Sequence, residues 1–166
     1  MNSSELKSLQ DPLKNKYKSN PGSALITLRA KSRIGDGITC KIETGNAMSE
    51  AGLHPATGGD GLSACSGDML LEALAACAGV TLNAVATAIE FDLKDASIYV
   101  EGDLDFRGTL SVDRDAPVGF KNIRLKFDLE TNEEEEKIKT LIKLTERYCV
   151  VLQTLSKGNS VEVSIA

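Results

Sequence analysis

Hydrophobic positions change their period several times along this chain, and each change marks an element. Leu6, Leu9, Leu13 and Tyr17 recur near helical spacing, so residues 1–22 read as an amphipathic arm, in which Pro12 fits only if a helix starts there or bends. "SALITLRAKS", "RIGDG" and "ITCKIETG" then read as a hairpin: an alternating strand, a Gly-Asp-Gly turn, and a second strand with Ile38, Cys40 and Ile42 on one face. Cys40 is thereby expected in the core. From Asn46 to Gly67 the chain is rich in Gly, Ser and Ala and includes "HPATGGDG". A stretch of weak structure this long suits the lining of a pocket.

A helix is predicted from about Gly67 to Ala88, with Ser66 as N-cap and Asp68 in the first turn, where the helix dipole favours a carboxylate. Its apolar residues go all round, so protein must enclose it, either against a sheet or between subunits. Residues 96–112 alternate with Ile98, Val100, Leu104 and Phe106 on one face, and "NIRLKFDLE" alternates with Ile123, Leu125, Phe127 and Leu129; both are predicted strands. Thr131 or Asn132 is the expected cap of a second helix that starts in "EEEE", a solvated acidic run suited to a positive helix end. Ile138, Leu141, Ile142, Thr145, Cys149 and Leu152 form its inner stripe, and "SVEVSIA" is predicted to close the chain as a strand. Two strands, a helix, more strands, a helix and a last strand make an α+β domain over residues 23–166.

Composition narrows the partners. The chain has 166 residues, 4% aromatic and no Trp, so the core must be aliphatic and little is left to stack on bases. A formal net charge of -5 and a pI near 5.0 argue against a phosphate-binding surface and hence against nucleic acid. The first twenty residues lack the apolar run of a signal peptide. Residues 69–91 come closest to a membrane span, but Glu72, Asn83 and Glu90 interrupt them, so the expectation is a cytoplasmic protein without a membrane partner. Cysteines at 40, 65, 77 and 149 contain no CxxC, and His54 is the single imidazole, which disfavours a zinc site and leaves no metal or organic cofactor expected.

The candidate chemistry lies with Cys77. Cysteine attacks as a thiolate, burial raises its pKa, and Cys77 lies about ten residues into its helix, beyond reach of the N-terminal dipole. An active Cys77 therefore needs a cation from elsewhere, and the hairpin offers Arg29, Lys31 and Arg33. Arg33, beside the turn, is the better placed; Arg29, inside a strand, reads as a sheet-surface residue. If the second helix is continuous, its dipole disfavours a thiolate at Cys149, which suits that thiol to accept an oxidised partner if the two helices pack side by side. Periodicity alone favours both cysteines as core packing.

"LLEALAACAGVTLNAVATAIEF" followed, after strands, by "LTERYCVVLQTLSKGNSVEVSI" resembles the OsmC/Ohr family of hydroperoxide-reducing proteins, with "DLDFRGTL" and "PVGFKNIRLKFDLE" in family order. The resemblance covers residues from about 25 to 166. It implies an intertwined α+β homodimer with long central helices enclosed by antiparallel sheets. It also implies a peroxidase for organic hydroperoxides, with Cys77 as attacking thiolate, Cys149 as resolving thiol, and an external dithiol of lipoyl type as reductant. Arg33 best matches the family's activating Arg. The family's Pro-Glu at the start of the cysteine helix is replaced by Ser66-Gly67-Asp68, so Asp68, or Glu72, takes the place of the carboxylate that orients the Arg. The residue after the second cysteine, often Pro in the family, is Val150 here. Cys65 and His54, on the loop before the helix, are placed to border the pocket, although an ordinary free thiol and a surface imidazole is the favoured reading. The alternative is a non-catalytic stress or small-ligand-binding protein of the same fold with both cysteines structural.

Overall fold

A computed structural model of the chain describes residues 3–34, 40–42, 51–62 and 64–165; the predicted turn of the hairpin and the side chains of Arg29 and Cys40 lie outside the described residues. Helix α1 (Ser3–Ser19) carries Pro12 inside it and ends in a 3₁₀ turn at Pro21–Ala24. The strands β1 (Leu25–Ile34) and β2 (Cys40–Ile42) form the hairpin, and the loop after it holds two short strands, β3 (Ala51–Gly52) and β4 (Ala64–Cys65), paired in parallel. Then come α2 (Ser66–Ala88), β5 (Leu93–Asp105), the helical turn α3 (Phe106–Thr109), β6 (Asn122–Thr131), α4 (Glu135–Tyr148) and α5 (Val150–Lys157).

The main sheet has the order β2-β1-β5-β6 with antiparallel pairs throughout, so β5 lies at its centre and β6 at an edge. Along β5 burial alternates as strand geometry requires: Ala96, Ile98, Val100 and Leu104 face inward. Helix α2 lies against that inner face and buries Leu71, Leu74, Ala75, Ala78, Leu82, Val85 and Ala86. At Gly102 a Cβ would come within 2.5 Å of the Phe120 ring and 3.2 Å of Leu71, so helix and sheet meet closely where β5 has no side chain. The core is aliphatic as expected, with Tyr17, Phe91 and Phe106 added at its borders.

Four sequence expectations are corrected. The strand predicted over 96–112 ends at Asp105, because its buried carboxylate accepts from the Arg107 N–H and side chain and caps a helical turn. The second helix is capped at Glu134, not at Thr131 or Asn132; Thr131 extends β6. The closing "SVEVSI" forms no strand within one chain: residues 158–165 are exposed, with Val161, Val163 and Ile165 open to solvent. Helix α2 keeps its expected extent, but Cys65, not Ser66, occupies its N-cap, and Ser66 is its first residue. It ends in a Schellman turn, in which Phe91 N–H bonds the Ala86 carbonyl at 2.9 Å and Glu90 takes the left-handed conformation.

Candidate active site

Helix α2 presents Cys77 at the border of its buried face, partly exposed, whereas Cys149 has no exposed surface at all. The two thiols are neighbours where α2 meets the junction of α4 and α5, close enough for one to act on the ionisation of the other. That junction differs from the continuous helix considered from the sequence. The helix breaks at Cys149, whose φ and ψ of -69° and 103° are extended, and a new helix begins at Val150. Cys149 N–H still bonds the Thr145 carbonyl, Gln153 N–H bonds the Cys149 carbonyl, and Gln153 Nε2 reaches across the break to the Glu146 carbonyl at 2.8 Å. Gln153 thus supplies a donor to a carbonyl that the break leaves without its helical partner.

Burial pushes the Cys149 thiol up to about 11, and the adjacent Cys77 thiol pushes in the same direction. The backbone N–H groups of Leu152 and Val151, at the start of α5, pull the other way without making a capping bond. Cys149 is at once the C-cap of α4 and the N-cap of α5, so the positive end of α5 partly offsets the negative end of α4 that a continuous helix would present alone. Burial still outweighs it.

Arg33 and Asp68 do not join this pair within one chain. Arg33 stands opposite Ser97 in the β1–β5 register, so it shares the outer face of the sheet, while Ala96 and Ile98 face inward toward α2. There it holds Asp95 with two hydrogen bonds, Nε to Oδ1 at 3.0 Å among them, and its guanidinium keeps that carboxyl below the usual range. Asp95, which no pattern in the sequence singles out, satisfies the cation beside the turn. Arg29 stands opposite Glu101 in the same register. Asp68 lies nine residues before Cys77, which at 100° and 1.5 Å per residue is half a turn round α2 and roughly 13 Å along it.

Asp68 belongs instead to a second cluster. Burial raises its pKa, and the nearby His54 partly offsets this; Glu72, one turn on, is raised by burial and then by the Asp68 charge. The His54 ring stacks on Phe106 at 5.0 Å, and its Nδ1 accepts from the Ala56 N–H at 3.0 Å. Helix α1 holds this loop from outside, with Tyr17 Oη donating to the Ala56 carbonyl at 2.7 Å and Gln10 Nε2 to that of Thr57. Cys65 sits at the N-cap of α2, half-buried, and makes no capping bond. No group of His, Cys, Asp and Glu suited to a metal ion occurs among the described residues.

An acid whose folded pKa is raised costs stability above that pKa. When both states are protonated there is no cost; as pH rises the unfolded chain loses its proton first, and stability falls through the interval up to the folded pKa. Asp68→Asn should therefore melt a few degrees above the parent at about pH 7, and this advantage should vanish below about pH 4. Thermal denaturation at the two pH values checks it; equal melting differences at both would mean that titration of Asp68 is not the cause.

The OsmC-like protein family model matches residues 58–164. The chain belongs to the OsmC-like family. Among solved structures it is similar to an OsmC-like hydroperoxide resistance protein from Jannaschia sp. CCS1, with a TM-score of 0.61 at 13% identity, covering 83% of this chain and 91% of that one. At such identity the likeness is one of fold. No curated protein matches the sequence. The break at Cys149 carries no signal in this chain's own residues. A proline often follows the second cysteine in the family, and proline at that position suits the first residue of a new helix. Here Val150 takes that place and the break persists.

Proposed function

We propose that this OsmC-like protein is a thiol-dependent peroxidase for organic hydroperoxides. The single observation that carries the reading is the adjacency of two thiols with unequal access, Cys77 partly open and Cys149 closed. The Cys77 thiolate attacks the distal peroxide oxygen, releases an alcohol and becomes a sulfenic acid; Cys149 then condenses with it, releasing water and leaving a disulfide. An external dithiol returns the pair to thiols, with no metal or organic cofactor. The reading rests on Cys77 and Cys149, not on Arg33 or Asp68.

The same reading makes the protein an intertwined homodimer of the cytoplasm. Leu70 and Val80 leave an apolar strip of α2 uncovered, and the alternating tail with Val161, Val163 and Ile165 has no strand partner in its own chain. Strand β6 is an edge of the sheet. A second copy thus finds both an unpaired edge and an unpaired strand-like segment.

The distance of Arg33 and Asp68 from Cys77 favours a second reading, a small-ligand-binding or stress protein in which both cysteines only pack. The mass of the intact protein after one equivalent of an alkyl hydroperoxide separates the two. A loss of two hydrogens, absent in Cys77→Ser and in Cys149→Ser, is expected of the peroxidase. An unchanged mass would support the packing role.

A further inference from the structure

We infer that when the Cys77–Cys149 disulfide is reduced, the incoming thiolate attacks the sulfur of Cys77 and Cys149 departs. This rests on the peroxidase reading for the disulfide's place in turnover, and adds which sulfur the reductant meets. Thiol–disulfide exchange needs an approach in line with the S–S bond, from behind the sulfur attacked. Cys149 has no exposed surface, and its enclosure is built by its own chain, among core residues such as Leu141 and Thr145; a second copy only adds to it. Cys77, which lies on α2 between Leu70 and Val80, keeps part of its surface open within its own chain, and attack there requires that a second copy leave that part reachable.

The identity of the leaving group works partly against this direction. Burial raises the Cys149 pKa, and a thiol of higher pKa departs more slowly. The break between α4 and α5 softens that cost. In a continuous helix the amides after Cys149 would be taken by carbonyls of the preceding turn. Here α5 starts afresh at Val150, so the N–H groups of Val151 and Leu152 face the sulfur on which charge arrives. Cys77, in the middle of α2, has no such free amides beside it. Closure of Cys149 decides the direction, and its amides make the departure feasible.

The reductant's first thiolate bonds to Cys77 Sγ while the S–S electron pair leaves with Cys149 Sγ, which takes up a proton. The reductant's second thiol loses its proton and attacks the reductant sulfur of the mixed disulfide, expelling Cys77 as a thiolate and closing the reductant into a cyclic disulfide.

The test uses the 166-residue chain with Cys40→Ser and Cys65→Ser, oxidised with diamide so that the disulfide does not depend on any peroxidase activity. A limiting small monothiol, 2-mercaptoethanol, is added, the reaction is stopped in denaturing acid, and free thiols are alkylated before peptide mass spectrometry. The expected result is the mercaptoethanol adduct on Cys77 and the alkyl group on Cys149, in at least ~10-fold excess over the reverse, equivalent to about 1.4 kcal/mol between the two transition states. Adduct mainly on Cys149, or an even split, overturns the inference. So does the absence of a Cys77–Cys149 disulfide after diamide. If diamide forms the disulfide and an alkyl hydroperoxide does not, the peroxidase reading fails while the direction of exchange is still decided.

Discussion

Cys77→Ser should lower the second-order rate of alkyl hydroperoxide consumption by at least ~10³-fold, whereas Cys149→Ser should leave the first oxidation near the parent rate and abolish repeated turnover. The asymmetry follows from access and ionisation. The thiolate is the nucleophile, and a serine hydroxyl at position 77 stays un-ionised at any working pH. Cys149 is fully buried and its thiol is held up to about 11, so it meets no hydroperoxide itself; its contact with Cys77 only converts the sulfenic acid to a disulfide. Without Cys149 that sulfenic acid persists, and a second equivalent of hydroperoxide should carry it to the sulfinic acid. Stopped-flow consumption of cumene hydroperoxide and intact mass together check both variants. Parent-like turnover in Cys77→Ser would remove Cys77 from the chemistry, and the absence of a second oxidation in Cys149→Ser would mean that another group resolves the sulfenic acid.

The parts of this site that were legible in the sequence are those written in periodicity. Strands β1, β5 and β6 alternate apolar and polar residues because one face of the sheet packs α2, and α2 reads as a helix from its apolar density and acidic first turn. The break at Cys149 was hidden by the same signal: Leu141, Thr145, Cys149 and Leu152 keep helical spacing across it, since both short helices turn their apolar side to the same core. β5 was read too far for a related reason. Phe106 and Leu110 are buried and extend the apolar series past Asp105, but Asp105 accepts from the Arg107 N–H and turns the chain. Arg33 was assigned by its place near a turn, and a turn says nothing about the carboxylate waiting one strand away at Asp95. Pairing across strands is set by register, which composition does not reveal.

Val80→Asp should convert the protein from a dimer to monomer or aggregate, weakening association by ~100-fold or more. Val80 lies on α2 with 37% of its surface exposed in the single chain, on the same uncovered strip as Leu70. The helix is long and apolar enough to cross a membrane, and 44% of that stretch is buried within the chain, so part of its apolar surface stays open unless a second copy covers it. A carboxylate placed there meets no cost in a monomer, since water solvates it. In a dimer it loses that water without a partner, and an unpaired charge at a closed interface costs several kcal/mol, enough to outweigh the ~1.5–3 kcal/mol that a buried valine contributes on each side. Glu136→Gln on α4, where the side chain is 84% exposed, serves as the control and should leave the oligomer unchanged. Sedimentation velocity at micromolar concentration reads both variants. If Val80→Asp and the parent sediment alike as folded monomers of 17.7 kDa, the uncovered face of α2 is not an interface between copies, and the intertwined dimer falls with it.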